Sequence, residues 1–392
     1  MTSPMDMRTT ASCPGPLDPY PVCLGDLEEA AAKVLPRDVW DFMAGGSGQE
    51  LTLRRNHAAL DDVHIVPRVL RDVSDSTTRA SVLGGTAAMP VVIAPMAYHR
   101  LYHPEGELAV ARAAKRAGVP LTVATLSSHS VEEIAQEVDR TWFQFYWLRD
   151  DYQVAELAVR AEEAGCEALL LTVDVPWMGR RLRDMRNQFV LPADVRSANL
   201  DGGRSTSAHV AVPGASAVAA HTSQAMTAAL TWKHVEQLRS WTRLPLILKG
   251  ILDPADARRA ADCGADAIVV SNHGGRQLDG AAPAITMLPA VREAVGDDCE
   301  VIFDSGIRTG TDVLKALALG ASSAMLGRPI LWGLAAAGEA GVDAVLGVLA
   351  QEIGDALGLA GCSSVAEARQ LKAFTSLPFR SDSTLNKGSP YA

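Results

Sequence analysis

A histidine and an arginine lie three residues apart in the run SNHGGRQLDG (residues 271–280), directly after the apolar segment 267–270. The imidazole of His273 can accept a proton near neutral pH, and the planar guanidinium of Arg276 fits a carboxylate. Catalytic residues of barrel enzymes occupy such positions at strand ends. The pair therefore predicts a substrate with a removable proton and a carboxylate, although an isolated HGGR is equally compatible with a solvated surface turn.

The composition is that of a globular protein: the 392 residues are 48% hydrophobic and 21% charged, enough for one large barrel-sized domain. A formal charge of -10 and a pI near 5.4 argue against nucleic-acid binding. No apolar run approaches the roughly 20 residues of a membrane span, and no secretory signal is visible. The six cysteines are scattered without metal-binding spacing. We expect a soluble, cytoplasmic protein with no metal site and no membrane partner.

Short apolar runs alternate with longer amphipathic segments from about residue 90 onwards. The short runs are typical of buried strands and the longer segments have helical spacing, most of them followed by glycine. Eight such units predict a (β/α)8 TIM barrel, with a doubly wound sheet as the alternative that lacks its GxGxxG motif. The predicted strands are residues 91–94, 121–124, 142–146, 168–173, 246–248, 267–270, 301–303 and 323–326; the predicted helices are 105–117, 131–137, 152–164, 254–263, 284–295 and 311–319.

The remaining segments predict one barrel domain over residues 24–380. Residues 1–23 are rich in Pro, Thr, Ser and Met and predict a disordered extension, and residues 381–392 a flexible tail. Two short helices, interrupted by Pro36, are expected within residues 26–44.

One segment, residues 191–230, breaks the alternation because it is rich in Ala, Ser, Gly and Thr and has little apolar periodicity. Long irregular segments in compact domains are usually lids, or they are disordered. We predict a mobile lid over the carboxyl face of the barrel, with an inert linker as the alternative.

The carboxyl ends of the predicted strands are unusually polar, and in a barrel they all open onto one face. Two of the loops there, residues 304–310 and 326–329, combine glycine with arginine and fit a phosphate group. A cofactor with its phosphate in these loops would extend towards Lys249 and Gln144. The polar residues at or just beyond the strand ends are Thr125, Gln144, Tyr146, Thr172, Asp174, Lys249, Ser271, His273, Arg276, Asp304, Arg308 and Arg328.

Short motifs throughout the chain form a recognisable set: residues 35–36 (LP), 41–46 (DFMAGG), 103–107 (HPEGE), 143–146 (FQFY), 172–176 (TVDVP), 179–181 (GRR), 248–250 (LKG), 271–280, 304–308 (DSGIR) and 327–329 (GRP). Over residues 24 to about 375 the sequence thereby resembles the FMN-dependent 2-hydroxy acid oxidases and dehydrogenases, the group of glycolate oxidase, lactate oxidase and mandelate dehydrogenase. Residues 102–104 (YHP) and 175–179 (VPWMG) are most similar to the hydroxymandelate oxidases of actinobacterial antibiotic biosynthesis.

The resemblance implies oxidation of an (S)-2-hydroxy acid to the 2-keto acid. His273 would remove the hydroxyl proton while the α-hydrogen leaves as hydride to the flavin; initial carbanion formation is the alternative. Asp174 would orient His273, and Arg276 and Arg181 would bind the substrate carboxylate. Tyr146 would donate a hydrogen bond to the hydroxyl or carboxylate.

The resemblance also implies the FMN contacts. Lys249 would lie near N1 and O2 of the flavin, where a cation stabilises the reduced ring. The other implied cofactor residues are Pro95, Met96 and Ala97 beside the ring, Thr125, Gln144 and Thr172 as polar partners, Asp304 at the ribityl chain, and Arg308, Gly327 and Arg328 at the phosphate, with Ser271 and Gly306 as further cofactor-binding residues.

Two departures from the glycolate-oxidising members bear on the substrate. Phe42 stands where those members have a tyrosine, and Leu126 where they have a tryptophan, which leaves a more apolar and roomier site. Together with Met178 as a further candidate for the pocket wall, these residues favour mandelate or 4-hydroxymandelate over glycolate and lactate.

We expect O2 to be the acceptor, with H2O2 as product, and a homotetramer by resemblance. The alternatives are a lactate- or glycolate-type oxidase, and a mandelate dehydrogenase with another acceptor. Outside this family, a phosphate-binding barrel isomerase and a noncatalytic flavin-binding protein remain open.

Overall fold

Eight parallel strands form a closed barrel in the computed structural model, which describes residues 20–200, 209–210 and 216–375. Each strand is paired with its chain neighbours, and the last strand is paired with the first, which confirms the predicted (β/α)8 barrel. The barrel strands are β4 (Val91–Ile93), β5 (Leu121–Ala124), β6 (Thr141–Phe145), β7 (Ala168–Thr172), β8 (Leu246–Ile251), β9 (Ala267–Val270), β10 (Glu300–Phe303) and β11 (Ser323–Leu326).

Helices connect successive strands and surround the barrel, and local signals set many of their ends. The side chains of Ser130, Asp150, Asp253 and Thr309 accept backbone N–H groups at helix starts. The two predicted N-terminal helices and all six predicted connecting helices are confirmed. The helices are α1 (Leu24–Val34), α2 (Arg37–Ala44), α3 (Leu51–Asp61), α4 (Gly106–Ala117), α5 (Val131–Ala135), α6 (Asp151–Glu163), α7 (Leu182–Asn187), α8 (Ala217–Ala225), α9 (Trp232–Trp241), α10 (Pro254–Asp262), α11 (Ala284–Val295), α12 (Gly310–Ala318), α13 (Arg328–Leu359) and α14 (Val365–Ala368).

Four short strands among the described residues lie outside the barrel. Strand β1 (Val63–Val66) pairs antiparallel with β12 (Lys372–Thr375), and β2 (Ala80–Val82) forms a hairpin with β3 (Gly85–Ala87). Residues of the hairpin join the buried apolar cluster of the barrel interior, which closes the amino end of the barrel. The interior cluster includes Val82, Ala87, Val92, Trp142, Leu170, Ile247, Val269, Ile302 and Met325.

The lid segment is more regular than predicted. Within its described part, residues 217–225 form α8, which begins at Ser216, whose hydroxyl accepts the backbone N–H of Ala219. The expectation of an irregular segment is therefore wrong for these residues, because the alanine-rich run supports a helix without apolar periodicity. Residues 201–208 and 211–215 of this segment lie outside the described residues, and its mobility stays a prediction.

Helix α13 is long and apolar enough by length and composition to cross a membrane, contrary to the expectation that no such run exists. However, 72% of its most apolar window is buried inside the fold, and a buried core helix passes the same test. Non-helical backbone at Ala337 and Gly338 also breaks α13 into two parts. The finding is therefore weak evidence for a membrane span.

The predictions for the chain ends fall largely outside the described residues. Residues 1–19, most of the predicted extension, and the predicted tail 381–392 are among them. Residues 20–23 are described, and the backbone N–H groups of Val22 and Cys23 donate to the Asp26 carboxylate at the start of α1.

Candidate active site

A cavity opens at the carboxyl face of the barrel and contains about 1210 Å³ of space outside protein atoms, including its mouth. Loops after several different strands contribute to its wall, as the barrel geometry predicts. Most of the candidate residues from the sequence line it, which brings together Phe42, Pro95, Met96, Ala97, Leu126, Tyr146, Thr172, Met178, Arg181, Lys249, His273, Arg276, Asp304, Gly306, Arg308, Gly327 and Arg328.

Four other candidates do not line the cavity but belong to hydrogen-bond networks that include lining residues. They are Asp174, Thr125, Gln144 and Ser271. The Gln144 amide donates to the Thr172 hydroxyl at 3.0 Å, and its oxygen accepts the Thr125 N–H at 3.3 Å. All three side chains are almost fully buried. They form a polar row across the carboxyl ends of β5, β6 and β7, and Thr172 is the member of this row that lines the cavity.

The position of His273 is fixed by a carboxylate that contacts its ring and by a hydrogen bond from its backbone. Its Nδ1 lies 3.0 Å from Oδ1 and 3.2 Å from Oδ2 of Asp174. The backbone at His273 has a φ of 59°, in the left-handed region, and its N–H donates to the Ser271 hydroxyl at 2.9 Å. The pairing at Nδ1 leaves Nε2 as the ring nitrogen for a ligand in the cavity.

The loop that carries Asp174 is itself fixed. The Gln277 amide donates to the backbone carbonyls of Asp174 at 2.8 Å and Trp177 at 2.9 Å. A side chain at Gly250, on β8, would overlap Asp174, so the glycine makes room for the carboxylate. The His273–Asp174 pair therefore has support from strand β8 and from the loop after β9.

Lys249, Ser271 and Asp304 form a buried cluster in the cavity floor. The Lys249 ammonium donates to the Asp304 carboxylate at 2.9 Å and to the Ser271 hydroxyl at 3.1 Å. Ser271 also donates to Asp304 at 2.5 Å. Burial alone would raise the pKa of Asp304, but the charge of Lys249 and these hydrogen bonds outweigh it and lower that pKa. The cluster thus places the Asp304 carboxylate beside the Lys249 ammonium group in the cavity floor.

Arg276 and Arg328 both donate to backbone carbonyls at the C-terminal end of α2. Arg276 Nη1 lies 2.9 Å from the oxygen of Phe42 and 2.7 Å from that of Gly45. Arg328 Nε lies 3.1 Å from the oxygen of Met43, and Nη2 lies 3.0 Å from that of Gly45. The negative end of the helix dipole faces these cations, so α2 belongs to the site although it precedes the barrel.

Three arginines of the cavity are buried without a full set of anionic partners. Burial lowers the pKa of Arg181 to about 9 and that of Arg308 to about 10, and it lowers the pKa of Arg328 well below the ordinary arginine value. Neighbouring arginine charges act in the same direction on Arg181 and Arg328. Anionic ligands would offset both effects, so the site is built for phosphate and carboxylate groups.

The geometry near Arg308 and Arg328 suits a phosphate in particular. Helix α13 begins at Arg328, directly after Gly327, so its N-terminal end faces the cavity. The Arg308 guanidinium lies 4.7 Å from the centre of the Trp332 ring, which fixes its plane. A Cβ at Gly274, where φ is 62°, would lie 2.9 Å from Arg328 Nη1, so a side chain at this position would displace the guanidinium group. The donor set and charge fit the phosphate end of FMN.

The opposite part of the wall is apolar. Phe42 stacks on Phe189 with ring centres 4.6 Å apart, and the Arg181 and Arg276 guanidinium groups lie 5.9 Å and 5.5 Å from the centre of the Phe42 ring. Leu126 and Met178 line the cavity as predicted, whereas Trp177 is 81% exposed and does not. The sequence reasoning missed several wall residues, namely Tyr98, Tyr102, Val175, Val218 and Thr222.

Known proteins share this architecture. The family model described as FMN-dependent dehydrogenase matches residues 31–373. The chain is 59% identical over 350 residues to 4-hydroxymandelate oxidase from Amycolatopsis orientalis, which covers 89% of this chain and 97% of the relative. It is 45% identical over 352 residues to L-lactate oxidase from a Nostoc species, covering 88% of this chain and 96% of the relative.

A solved structure is similar at the level of coordinates as well. The crystal structure of mandelate oxidase with (S)-4-hydroxymandelic acid superposes with a TM-score of 0.89 at 57% sequence identity, covering 91% of this chain and 99% of that chain. The family match spans nearly all of the described residues, and the buried arginines and the Lys249 cluster fit the family's cofactor. The chain belongs to the FMN-dependent dehydrogenase family.

Proposed function

We propose that this protein oxidises an aromatic (S)-2-hydroxy acid, mandelate or 4-hydroxymandelate, to the corresponding 2-keto acid. One observation carries the proposal: the His273–Asp174 pair and the arginines Arg181 and Arg276 face one cavity whose adjoining wall is apolar. The pair can take a proton, the arginines can bind a carboxylate, and the apolar wall can hold a ring. The relatives named for hydroxymandelate and mandelate support this assignment.

His273 receives the hydroxyl proton at Nε2 as the general base. Asp174 accepts the hydrogen at Nδ1, which fixes the tautomer and stabilises the imidazolium after proton uptake. Since the carboxylate lies within hydrogen-bond distance through both oxygens, it orients the ring towards the cavity before the substrate binds.

The substrate carboxylate lies between Arg181 and Arg276, with Tyr146 beside it. Arg181 has a buried Nε without a hydrogen-bond partner among the described residues, so it retains donor capacity. Burial raises the pKa of Tyr146 above its ordinary value, which keeps its hydroxyl protonated as a donor. The carboxylate offsets the mutual repulsion of the two arginines.

FMN, when bound, accepts the two electrons and the hydrogen that leave the substrate α-carbon. Lys249 lies on the cavity floor where it can face the flavin ring, and Arg308 and Arg328 hold the phosphate. The main chain of residues 95–97 borders the same cavity, together with Thr172, Asp304, Gly306 and Gly327. Thr125, Gln144 and Ser271 support these groups from behind through the hydrogen bonds described above.

A flavin without a phosphate group should reveal how much Arg308 and Arg328 contribute to cofactor binding. We expect FMN, at about a thousandfold excess over its Kd, to stabilise the apoprotein by about 4 kcal/mol. Riboflavin should stabilise it far less, because it leaves Arg308 and Arg328 without an anion. Thermal unfolding of the apoprotein with each flavin tests this, and equal shifts in Tm would contradict the phosphate site.

A substrate panel tests the proposed function directly. We expect kcat/KM for (S)-mandelate and (S)-4-hydroxymandelate to exceed that for lactate by about tenfold or more, since burying a phenyl ring contributes roughly 2–3 kcal/mol. Anaerobic bleaching of the flavin and detection of the 2-keto acid give the readout. Comparable values for lactate and mandelate would favour the lactate-type alternative, and no keto acid at all would favour an isomerase.

We further propose that O2 reoxidises the flavin and yields H2O2, as the oxidase names of the relatives support. Admission of air after anaerobic bleaching tests this, because a mandelate dehydrogenase would recolour slowly. A homotetramer and a place in antibiotic biosynthesis are proposals that rest on family resemblance, and a cytoplasmic location is a proposal that rests on the scattered cysteines.

A further inference from the structure

Tyr102 is a wall residue whose role does not follow from the motifs of the chain. Its side chain is 7% exposed and lines the cavity together with Phe42, Arg181 and Arg276. It follows the short 3-10 turn His99–Leu101 after β4, and its N–H donates to the His99 carbonyl at 2.9 Å. A phenol is thus delivered to the cavity from the first loop of the barrel.

The turn that carries Tyr102 is firmly anchored. One carboxylate oxygen of Glu107, in α4, accepts the His99 N–H at 3.0 Å and the Ser128 N–H at 2.8 Å. This buried carboxylate ties the loop after β4 to the loop after β5. The backbone at Tyr102 is therefore anchored, as is required of a residue that recognises a ligand.

The surroundings of the Tyr102 hydroxyl are those of an anion site. Burial raises the pKa of this hydroxyl; among the charged groups, Arg276, Arg181 and Arg328 lower that pKa, whereas the Asp184 carboxylate raises it. Phe42, which lies beneath the guanidinium groups of Arg181 and Arg276, has no donor to offer. A donor for an anion held by these arginines must come from another part of the wall.

The hydroxyl is available for this purpose. It has no hydrogen-bond partner within the part of the chain that the structure describes, and both carboxylate oxygens of Asp184 are also without one. The Tyr102 phenol is therefore not hydrogen-bonded to the Asp184 carboxylate. Burial raises the pKa of Tyr102 above its ordinary value, so the hydroxyl stays protonated and can donate.

We propose that the Tyr102 hydroxyl donates a hydrogen bond to the carboxylate of the bound 2-hydroxy acid, beside the guanidinium groups of Arg181 and Arg276. This inference rests on the proposed function, because its ligand is the substrate of that function. Two phenols, Tyr102 and Tyr146, then border the arginine pair. The carboxylate is unchanged by the reaction, so the bond contributes equally to substrate and transition-state binding and affects KM rather than kcat.

The test is Tyr102→Phe in the FMN-loaded full chain, with Tyr152→Phe as the matched control because Tyr152 is 74% exposed on α6. Phenylacetate, which has the ring and the carboxylate but cannot react, serves as the binding probe through its effect on flavin absorbance. We expect Tyr102→Phe to raise the Kd for phenylacetate and the KM for (S)-mandelate about tenfold, with kcat within about twofold of the parent. Tyr152→Phe should change none of these values.

An unchanged Kd for phenylacetate in Tyr102→Phe, or a lower kcat at unchanged KM, would overturn the proposal. Flavin content and Tm of each variant show that the fold and the cofactor are intact. Parallel assays of the parent protein distinguish a failure of the proposed function from a failure of the role proposed for Tyr102. If the parent fails to oxidise (S)-mandelate, the proposed function is wrong; if it succeeds and Tyr102→Phe matches it, only the role of Tyr102 is wrong.

Discussion

His273→Asn is expected to lower kcat/KM for (S)-mandelate about 1000-fold while FMN stays bound. A positioned general base contributes typically about 10²- to 10⁴-fold, and asparagine cannot take the hydroxyl proton. Asparagine is the appropriate replacement because the backbone at this position has a φ of 59°, which asparagine tolerates better than most residues. Stopped-flow bleaching of the flavin under anaerobic conditions measures the effect.

The control for this variant is His64→Asn, at an exposed histidine of β1 outside the cavity wall. It should reduce the flavin at the parental rate. A His273→Asn variant that retained more than about a tenth of the parental rate would show that another group accepts the proton. Loss of flavin from His273→Asn would instead indicate a structural role for the imidazole.

Arg276→Lys should lower kcat/KM for (S)-mandelate about 100-fold, although the charge is retained. A hydrogen bond to a charged group contributes roughly 1.5–3 kcal/mol, and lysine cannot reproduce the planar fork that binds a carboxylate through two nitrogens. Arg276 also donates to the Phe42 and Gly45 carbonyls of the α2 terminus, and a lysine ammonium cannot serve both of these and the substrate. Steady-state kinetics with (S)-mandelate, together with phenylacetate binding, provide the measurement.

Arg180→Lys is the matched control, since Arg180 precedes Arg181 but is exposed and does not line the cavity. It should leave KM and kcat unchanged. If Arg276→Lys kept parental affinity for phenylacetate, Arg181 alone would account for carboxylate binding, and Arg276 would act only in holding α2.

The barrel was predictable because each of its strands is a short apolar run, and six of the eight are followed by a predicted helix. That signal is local and recurs along the chain, so errors at single boundaries do not change the topology. β8 illustrates such an error: it continues through Lys249 and Gly250 to Ile251, past its predicted end at residue 248. In the structure, the polar residues that were predicted at the strand ends lie on one face, as the barrel requires.

The parts of the site that could not be predicted depend on loops and distant contacts. Val218 belongs to no motif, and the motif at residues 102–104 carries a family resemblance but does not show that the Tyr102 side chain lines the cavity. Asp174 and His273 were predicted as a pair by resemblance, but their contact is made between residues 99 apart in sequence. The hydrogen bond from the Gln277 amide to the Asp174 carbonyl likewise joins residues that are distant in the sequence.

Helix α8 and helix α13 show two different limits of pattern reasoning. In α8 the alanine-rich composition supports helix formation but gives no apolar face to detect, although Ser216 was a usable start signal. In α13 the apolar residues are distributed around the whole helix, because much of it is buried within the fold. Amphipathic periodicity is the signal that both helices lack.

The attachment of α2 to Arg276 and Arg328 has a consequence for biosynthesis. The hydrogen bonds from these arginines to the carbonyls of residues 42–45 join positions 231 to 285 residues apart. During translation the N-terminal helices emerge long before their arginine partners, and contacts of such separation close late because the loop entropy must be overcome first. The anion site can therefore be completed only after β11 and the start of α13 have left the ribosome, so the cofactor phosphate can bind there only from that point of synthesis onwards.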